Sequence, residues 1–201
     1  MKQLLLICAV VMGQSGLAAD NKPLTKEESA EVIEAAIRKA VRKPTGELTK
    51  ADYEKVTSLN LSNHRLTSVK GLEKLTQLGN LHLDGNRLTD VTGLEKLTQL
   101  EYLYLPANKL TKVPKGLEKL TQLGVLSLRN NQLTDVKGLE KLTRLVSLDL
   151  LNTKLTDVKG LEKLTRLISL NLYFNPDLTK TQIAELKKAL PKCLIHSNNK
   201  K

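Results

Sequence analysis

The stretch LGNLHLDGNRLTDVTGLEKLTQ, Leu78–Gln99, decides the fold. Leu78, Leu81 and Leu83 alternate with polar residues in the manner of a short strand that buries one face and exposes the other. Asn86 stands where that strand ends. A side-chain amide there can satisfy backbone groups of neighbouring turns, which a leucine cannot do. Leu88 and Val91 continue the apolar series. GLEKLT (Gly93–Thr98) then returns along the opposite side as an irregular or short helical segment, with Leu94 and Leu97 inward and Glu95 and Lys96 toward solvent.

The unit recurs on both sides of this stretch. Aligned copies start at Val56, Leu78, Leu100, Leu123, Leu145 and Leu167, in steps of 22, 22, 23, 22 and 22 residues. The octapeptide GLEKLTQL itself appears at Gly71, Gly93 and Gly116, and as GLEKLTRL at Gly138 and Gly160. A fixed period in this range signals a solenoid, in which no unit buries its own leucines and stacked neighbours bury each other's. Identical layers stack best when their contact residues are identical. The expected fold class is α/β, a right-handed coil of repeats with a parallel sheet lining its concave face. The asparagine recurs at Asn86, Asn108, Asn131 and Asn175, and fails at His64 and Thr153. His64 reads as an imidazole replacing asparagine at the end of the ladder. Thr153 reads as a weak point, since a hydroxyl stands in for an amide. The third unit has one extra residue in VPKG (Val113–Gly116), read as a small bulge on the convex side.

Both ends of such a stack need covers. Thr25–Glu28 reads as a capping box, and Ala30, Ile33, Ala36, Ile37, Ala40 and Val41 form an apolar stripe at helical spacing. Pro44 and Gly46 end that helix, and Thr49–Asp52 opens a second short one. After the repeats, a turn at Asn175–Asp177 leads to a helix from about Lys180 to Leu190, stopped by Pro191. The division expected is 1–18 signal peptide, 19–55 helical N-terminal cap, 56–175 repeats, and 176–201 C-terminal helical cap and tail.

The first residues support the signal-peptide reading: a basic start, the apolar run Leu4–Met12, then small residues to Ala18. The run is too short to span a bilayer. Cys8 has Ile7 before it, where a lipobox needs a small residue. The expectation is an exported monomer without a membrane span, periplasmic, secreted or on the cell surface. Cleavage leaves Cys193 as the one cysteine, read as a small hydrophobe of the C-terminal cap. Net charge is +11, which points to anionic partners; export excludes nucleic acid from them.

Function is sought in the positions that refuse to repeat. These are the outward strand residues, the third, fifth, seventh and eighth of each unit. They hold four of the five aromatics in a chain that has Tyr 4 and Phe 1. Aromatic and arginine side chains are enriched in interface hot spots. The candidate ligand-binding residues on this concave face are Asn80, His82, Asp84, Tyr102, Tyr104, Arg129, Asp149, Tyr173 and Phe174. Ser127, His82 and Asp84 do not make a triad, because His82 and Ser127 are two strands apart. There is no metal, phosphate-loop or nucleophile-elbow motif, so neither a cofactor nor an enzyme activity is expected. The partner expected is a protein or peptide. The alternative is an anionic glycan or lipid head group held by the lysine rows.

The 22-residue unit, with LTDV after the asparagine and L-x-x-L-T-x-L closing it, resembles the internalin-like leucine-rich repeat proteins of bacteria. The leading segment from Ser29 to Ser62 resembles their helical N-terminal cap. The resemblance covers about Leu24 to Ile195, and it departs from the family where Gly-Leu stands in place of the common Pro-Leu. It implies a curved solenoid that binds a partner on its sheet; it does not imply which partner.

Overall fold

The computed structural model of the chain describes residues 22–198, so the signal-peptide reading lies outside the described residues. Helix α1 (Lys26–Ala40) and the one-turn helix α2 (Lys50–Glu54) come first. Both open with the reciprocal hydrogen bonds of a capping box, at Thr25–Glu28 and Thr49–Asp52. Six three-residue strands follow, one per repeat: β1 Ser58–Asn60, β2 Asn80–His82, β3 Tyr102–Tyr104, β4 Val125–Ser127, β5 Ser147–Asp149 and β6 Ser169–Asn171. Each of the first five is followed by a 3-10 turn over the Leu-Glu-Lys of the octapeptide. Helix α3 (Lys180–Ala189), capped by Thr179, leads to a last strand, β7 (Leu194–His196).

All seven strands pair in parallel and in chain order. The register follows the repeat, in steps of 22 residues and one of 23 from Leu103 to Leu126: Leu59, Leu81, Leu103, Leu126, Leu148 and Leu170 face each other across the ladder, and Ile195 extends the row. These side chains and the leucines of the turns form one continuous core. Burying each leucine stabilises by about 2 kcal/mol, and only a neighbouring coil can bury it.

The asparagine ladder joins the coils. Asn108 Nδ2 donates to Leu83 O at 2.9 Å and Leu105 O at 3.1 Å, while its Oδ1 accepts from Leu88 N at 3.0 Å. Asn86, Asn131 and Asn175 repeat the pattern toward Leu66, Leu110 and Leu155. One side chain thereby satisfies peptide groups on two coils that are sealed from water.

Several expectations are corrected. His64 is not part of the ladder: it is exposed, and its ring bonds the carbonyl of Ser62 at 2.8 Å. No repeat precedes the first coil, so no inner peptide group calls for a side chain there. The glutamates of the octapeptide do not simply face solvent. Each curls back to accept from the N–H of its own glycine, Gly93 to Glu95 at 2.6 Å and Gly138 to Glu140 at 2.6 Å among them. Glu140 is held below the usual carboxylate range by its own N–H and that of Gly138. These glycines take φ near +100° (Gly138 at 103°), which favours glycine. At Gly116 a Cβ would also lie 2.8 Å from Glu95 Cβ of the coil before. The extra residue of the third unit is Val113, half-buried, while Pro114 drops into the core row of Val91 and Val136 and accepts from Leu117 N as they do from Leu94 and Leu139. Ala40 is exposed and drops out of the helical stripe. Its place in tying α1 down is taken by Ser29, fully buried, whose hydroxyl accepts from Thr67 N at 3.1 Å and donates to Thr25 O at 2.7 Å.

Strand β7 was not foreseen. The tail after Pro191 reads as a finish to the cap, yet Leu194–His196 adds to the sheet beside β6. Cys193 is half-buried against the core, and burial pushes its thiol pKa up.

Candidate functional site

The strands present their third and fifth positions on the open face, in rows that the pairing sets side by side. One row runs Ser58, Asn80, Tyr102, Val125, Ser147, Ser169, Leu194; the other runs Asn60, His82, Tyr104, Ser127, Asp149, Asn171, His196. The eighth position of every unit turns the chain off the sheet in a left-handed conformation: Asn63, Gly85, Ala107, Asn130, Asn152 and Phe174, with φ of 61°, 63°, 52°, 54°, 53° and 58°. Asparagine and glycine suit that region; alanine and phenylalanine do not.

At the centre, the His82 and Tyr104 rings stack with centroids 4.4 Å apart and planes 10° from parallel. The pairing of β2 with β3 places them directly opposite, which is why the two rings meet. His82 Nδ1 lies 3.9 Å from Asp84 Oδ2. Asp84 also accepts from the Ser62 hydroxyl, and Asp149 accepts from Leu151 N at 3.2 Å and from Ser127 Oγ at 3.5 Å. Tyr102 stands beside this group and is 42 % exposed. A shallow groove of roughly 500 Å³ runs along this part of the sheet, lined by Asp84, Tyr104, Pro106, Ser127, Arg129 and Asp149 among others. The Arg129 guanidinium is exposed there and takes part in no ion pair or hydrogen bond among the described residues. Asn80 Oδ1 is buried at the edge of the same region and has no hydrogen-bond partner among the described residues.

The nine candidate residues therefore divide. His82, Asp84, Tyr104, Arg129 and Asp149 come together around the groove, with Tyr102 and Asn80 adjoining on the neighbouring row. Tyr173 and Phe174 are apart, at the far end of the sheet, where Tyr173 meets Phe174 at 6.4 Å and His196 at 5.9 Å. Phe174 N donates to Asn198 Oδ1 at 2.8 Å, so this second cluster is built with the tail. Sequence reasoning missed Leu194 and His196. The alternation in Cys193–His196 was the signal, short and too close to the helix to read as a seventh repeat.

The arrangement offers a flat ring pair, an unpaired guanidinium and two carboxylates on a rigid sheet. Such a surface can stack, accept and donate. Ser127 is hydrogen-bonded to Asp149 and His82 is stacked on Tyr104; no hydrogen bond links His82 to Ser127. No cluster of potential metal ligands occurs among the described residues, and no helix among them is long and apolar enough to cross a membrane.

The family described as Leucine Rich repeats (2 copies) matches residues 98–141 and 121–162. No curated protein matches the sequence. Among solved structures, an internalin (InlF) of Listeria monocytogenes superposes with a TM-score of 0.69 at 25 % identity, over 90 % of this chain and 59 % of that one. Internalin C2 (InlC2) of the same organism gives 0.64 at 25 % identity, over 82 % of this chain and 81 % of that one. The functional domain of its InlJ gives 0.59 at 26 %, over 84 % and 41 %. The chain thus spans less than two thirds of the InlF and InlJ chains that it matches.

Proposed function

Starting from a leucine-rich repeat protein with structural similarity to the Listeria internalins, we propose that this chain is an exported, non-enzymatic binding protein that holds a protein or peptide partner on the open face of its sheet. The observation that carries this reading is the groove around Tyr104. Tyr104, on which His82 stacks, and Asp149 stand there on strands that are paired on both sides, and Asp84 and Arg129 stand just past the ends of β2 and β4; the Arg129 guanidinium has no ion pair or hydrogen bond among the described residues. Stiff aromatic anchors and a fork-shaped cation are the side chains from which binding hot spots are built. The stacked rings lose little conformational freedom on binding, because each already holds the other.

The test is capture of partners from the native envelope by the mature protein, with Tyr102→Ala/Tyr104→Ala and Arg129→Ala as comparisons. Loss of the captured partner with the tyrosine pair, corresponding to about 2 kcal/mol or more per hot-spot residue, supports the reading. Capture unchanged by both variants, with their folding intact, defeats it.

A further inference from the structure

The charges of the repeats are not evenly spread. Residues 56–108 carry five basic side chains (Arg65, Lys70, Lys74, Arg87, Lys96) and five acidic ones (Glu73, Asp84, Asp90, Glu95, Glu101), a net charge of zero. Residues 109–166 carry twelve basic and six acidic side chains, a net charge of +6. Apart from Arg129 and Asp149, this excess lies off the open face of the sheet.

Its centre is a lattice of six exposed lysines in two rows of three, Lys115, Lys137 and Lys159 beside Lys119, Lys141 and Lys163. Adjacent turns are stacked closely enough that a Cβ on Gly160 would meet Glu140 Cβ at 3.5 Å. The turns at 139–141 and 161–163 are thus in register, while a Cβ on Gly138 would instead meet Cγ1 of Val113, the extra residue of the third unit, at 3.7 Å; the step is on the order of 5 Å per coil. None of the six ammonium groups is in a salt bridge among the described residues. The acidic neighbours bond to backbone: Glu118, Glu140 and Glu162 accept from the N–H of Gly116, Gly138 and Gly160, and Asp135 and Asp157 from those of Lys137 and Lys159, although Glu140 also feels the charges of Lys163 and Lys141 without a salt bridge to either.

We propose that this lysine lattice, opposite the sheet on the last three turns, is a binding site for a linear acidic polysaccharide. The regular two-row spacing suits a polymer whose carboxylates recur at each sugar. The patch lacks what other polyanions call for. A membrane surface is gripped by apolar side chains inserted below the head groups, and single-stranded nucleic acid by aromatic platforms. The exposed large hydrophobic residues, Tyr102, Ile168, Tyr173, Phe174 and Leu194, lie on the strands or at their ends, and none is in the lattice.

The experiment measures binding of labelled polygalacturonate to the full chain by fluorescence anisotropy at low and at physiological salt. Parallel arms use phosphatidylglycerol-containing vesicles and single-stranded DNA. Wild type is expected to bind the polygalacturonate in preference to either, with affinity falling as salt rises. The combined change Lys137→Glu, Lys141→Glu, Lys159→Glu and Lys163→Glu is expected to weaken binding by about thirtyfold, from the loss of four exposed ion pairs. A second variant reverses four lysines elsewhere, Lys22, Lys26, Lys70 and Lys192, and is expected to bind as wild type does. Circular dichroism melts check that both variants fold. Absence of polygalacturonate binding, preference for vesicles or DNA, or equal weakening in both variants overturns the proposal. Because the site is on the other side of the coil from Tyr102 and Tyr104, its failure leaves the partner-binding reading of the sheet face standing.

Discussion

Thr153 shows how much a single side chain decides here. Leu66, Leu88, Leu110 and Leu155 each donate their N–H to the asparagine of the following coil. Leu133, fully buried, is the member of this series whose N–H has no such acceptor, because Thr153 stands where the next asparagine is due. The Thr153 hydroxyl instead turns to Leu150 O at 2.8 Å and Asn175 Oδ1 at 3.1 Å. Thr153→Asn is expected to stabilise the protein by about 1 kcal/mol, read as a higher midpoint in urea unfolding; an unchanged or lower midpoint rules this account out. Asp52 makes a second residue-scale case. Lys43 first, then the N–H and hydroxyl of Thr49, hold its carboxyl well below the usual carboxylate range. A carboxyl depressed in the fold contributes stability that is full above its unfolded value near 4 and is lost as pH falls through the folded one. Thermal melts are therefore expected to drop below about pH 4, and Asp52→Asn to flatten that drop while lowering the melting temperature at neutral pH.

Among the elements, the helices were legible before the structure and the last strand was not. Thr25–Glu28 and Thr49–Asp52 are local signals, three residues apart in sequence, and the turn at Asn175–Asp177 marks the approach to the last helix, whose Thr179–Gln182 capping box the structure adds. Strand β7 has no such signature. It is a strand because β6 would otherwise leave its peptide groups and Leu170 uncovered at the end of the sheet. Ile195 is the residue that joins it to the core, at 8 % exposure. Ile195→Ala is expected to cost about 2 kcal/mol and to speed amide exchange in β6 while leaving β2 protected. Equal acceleration along the whole sheet would show that β7 is not a local cover.

At the scale of the molecule, the repeat joins two surfaces with different content. The sheet face varies from coil to coil, and it collects groove residues from β3, β4 and β5 and from the turns that follow the strands. The opposite side is uniform in its leucines and glutamates, and the repeats as a whole are uneven in charge, neutral over 56–108 and +6 over 109–166. Like charges a few ångströms apart repel, and salt screens them. Adding salt from low to physiological strength is therefore expected to raise the melting temperature, and the four-lysine reversal to remove most of that dependence. A melting temperature that falls with salt in the wild-type chain contradicts this reading of the lattice.

The sequence alone determined the architecture, because a 22-residue period of leucine and asparagine has one economical burial, a stack of matching coils. It also placed the outward rows, since alternation along a strand leaves no freedom once the leucines are inside. Contacts between residues far apart in the chain were decided by tertiary structure alone. It stacked His82 on Tyr104, left Arg129 unpaired, drew Tyr173 and Phe174 away to the tail, and gave β6 a seventh strand as neighbour. It also turned each octapeptide glutamate onto its own glycine, so that none of them forms a salt bridge with the lysine beside it in the chain among the described residues. Periodicity specifies which side of a coil a residue occupies; which partner it meets there depends on the neighbouring coil, the cap, and the hydrogen bonds that each end of the stack must still satisfy.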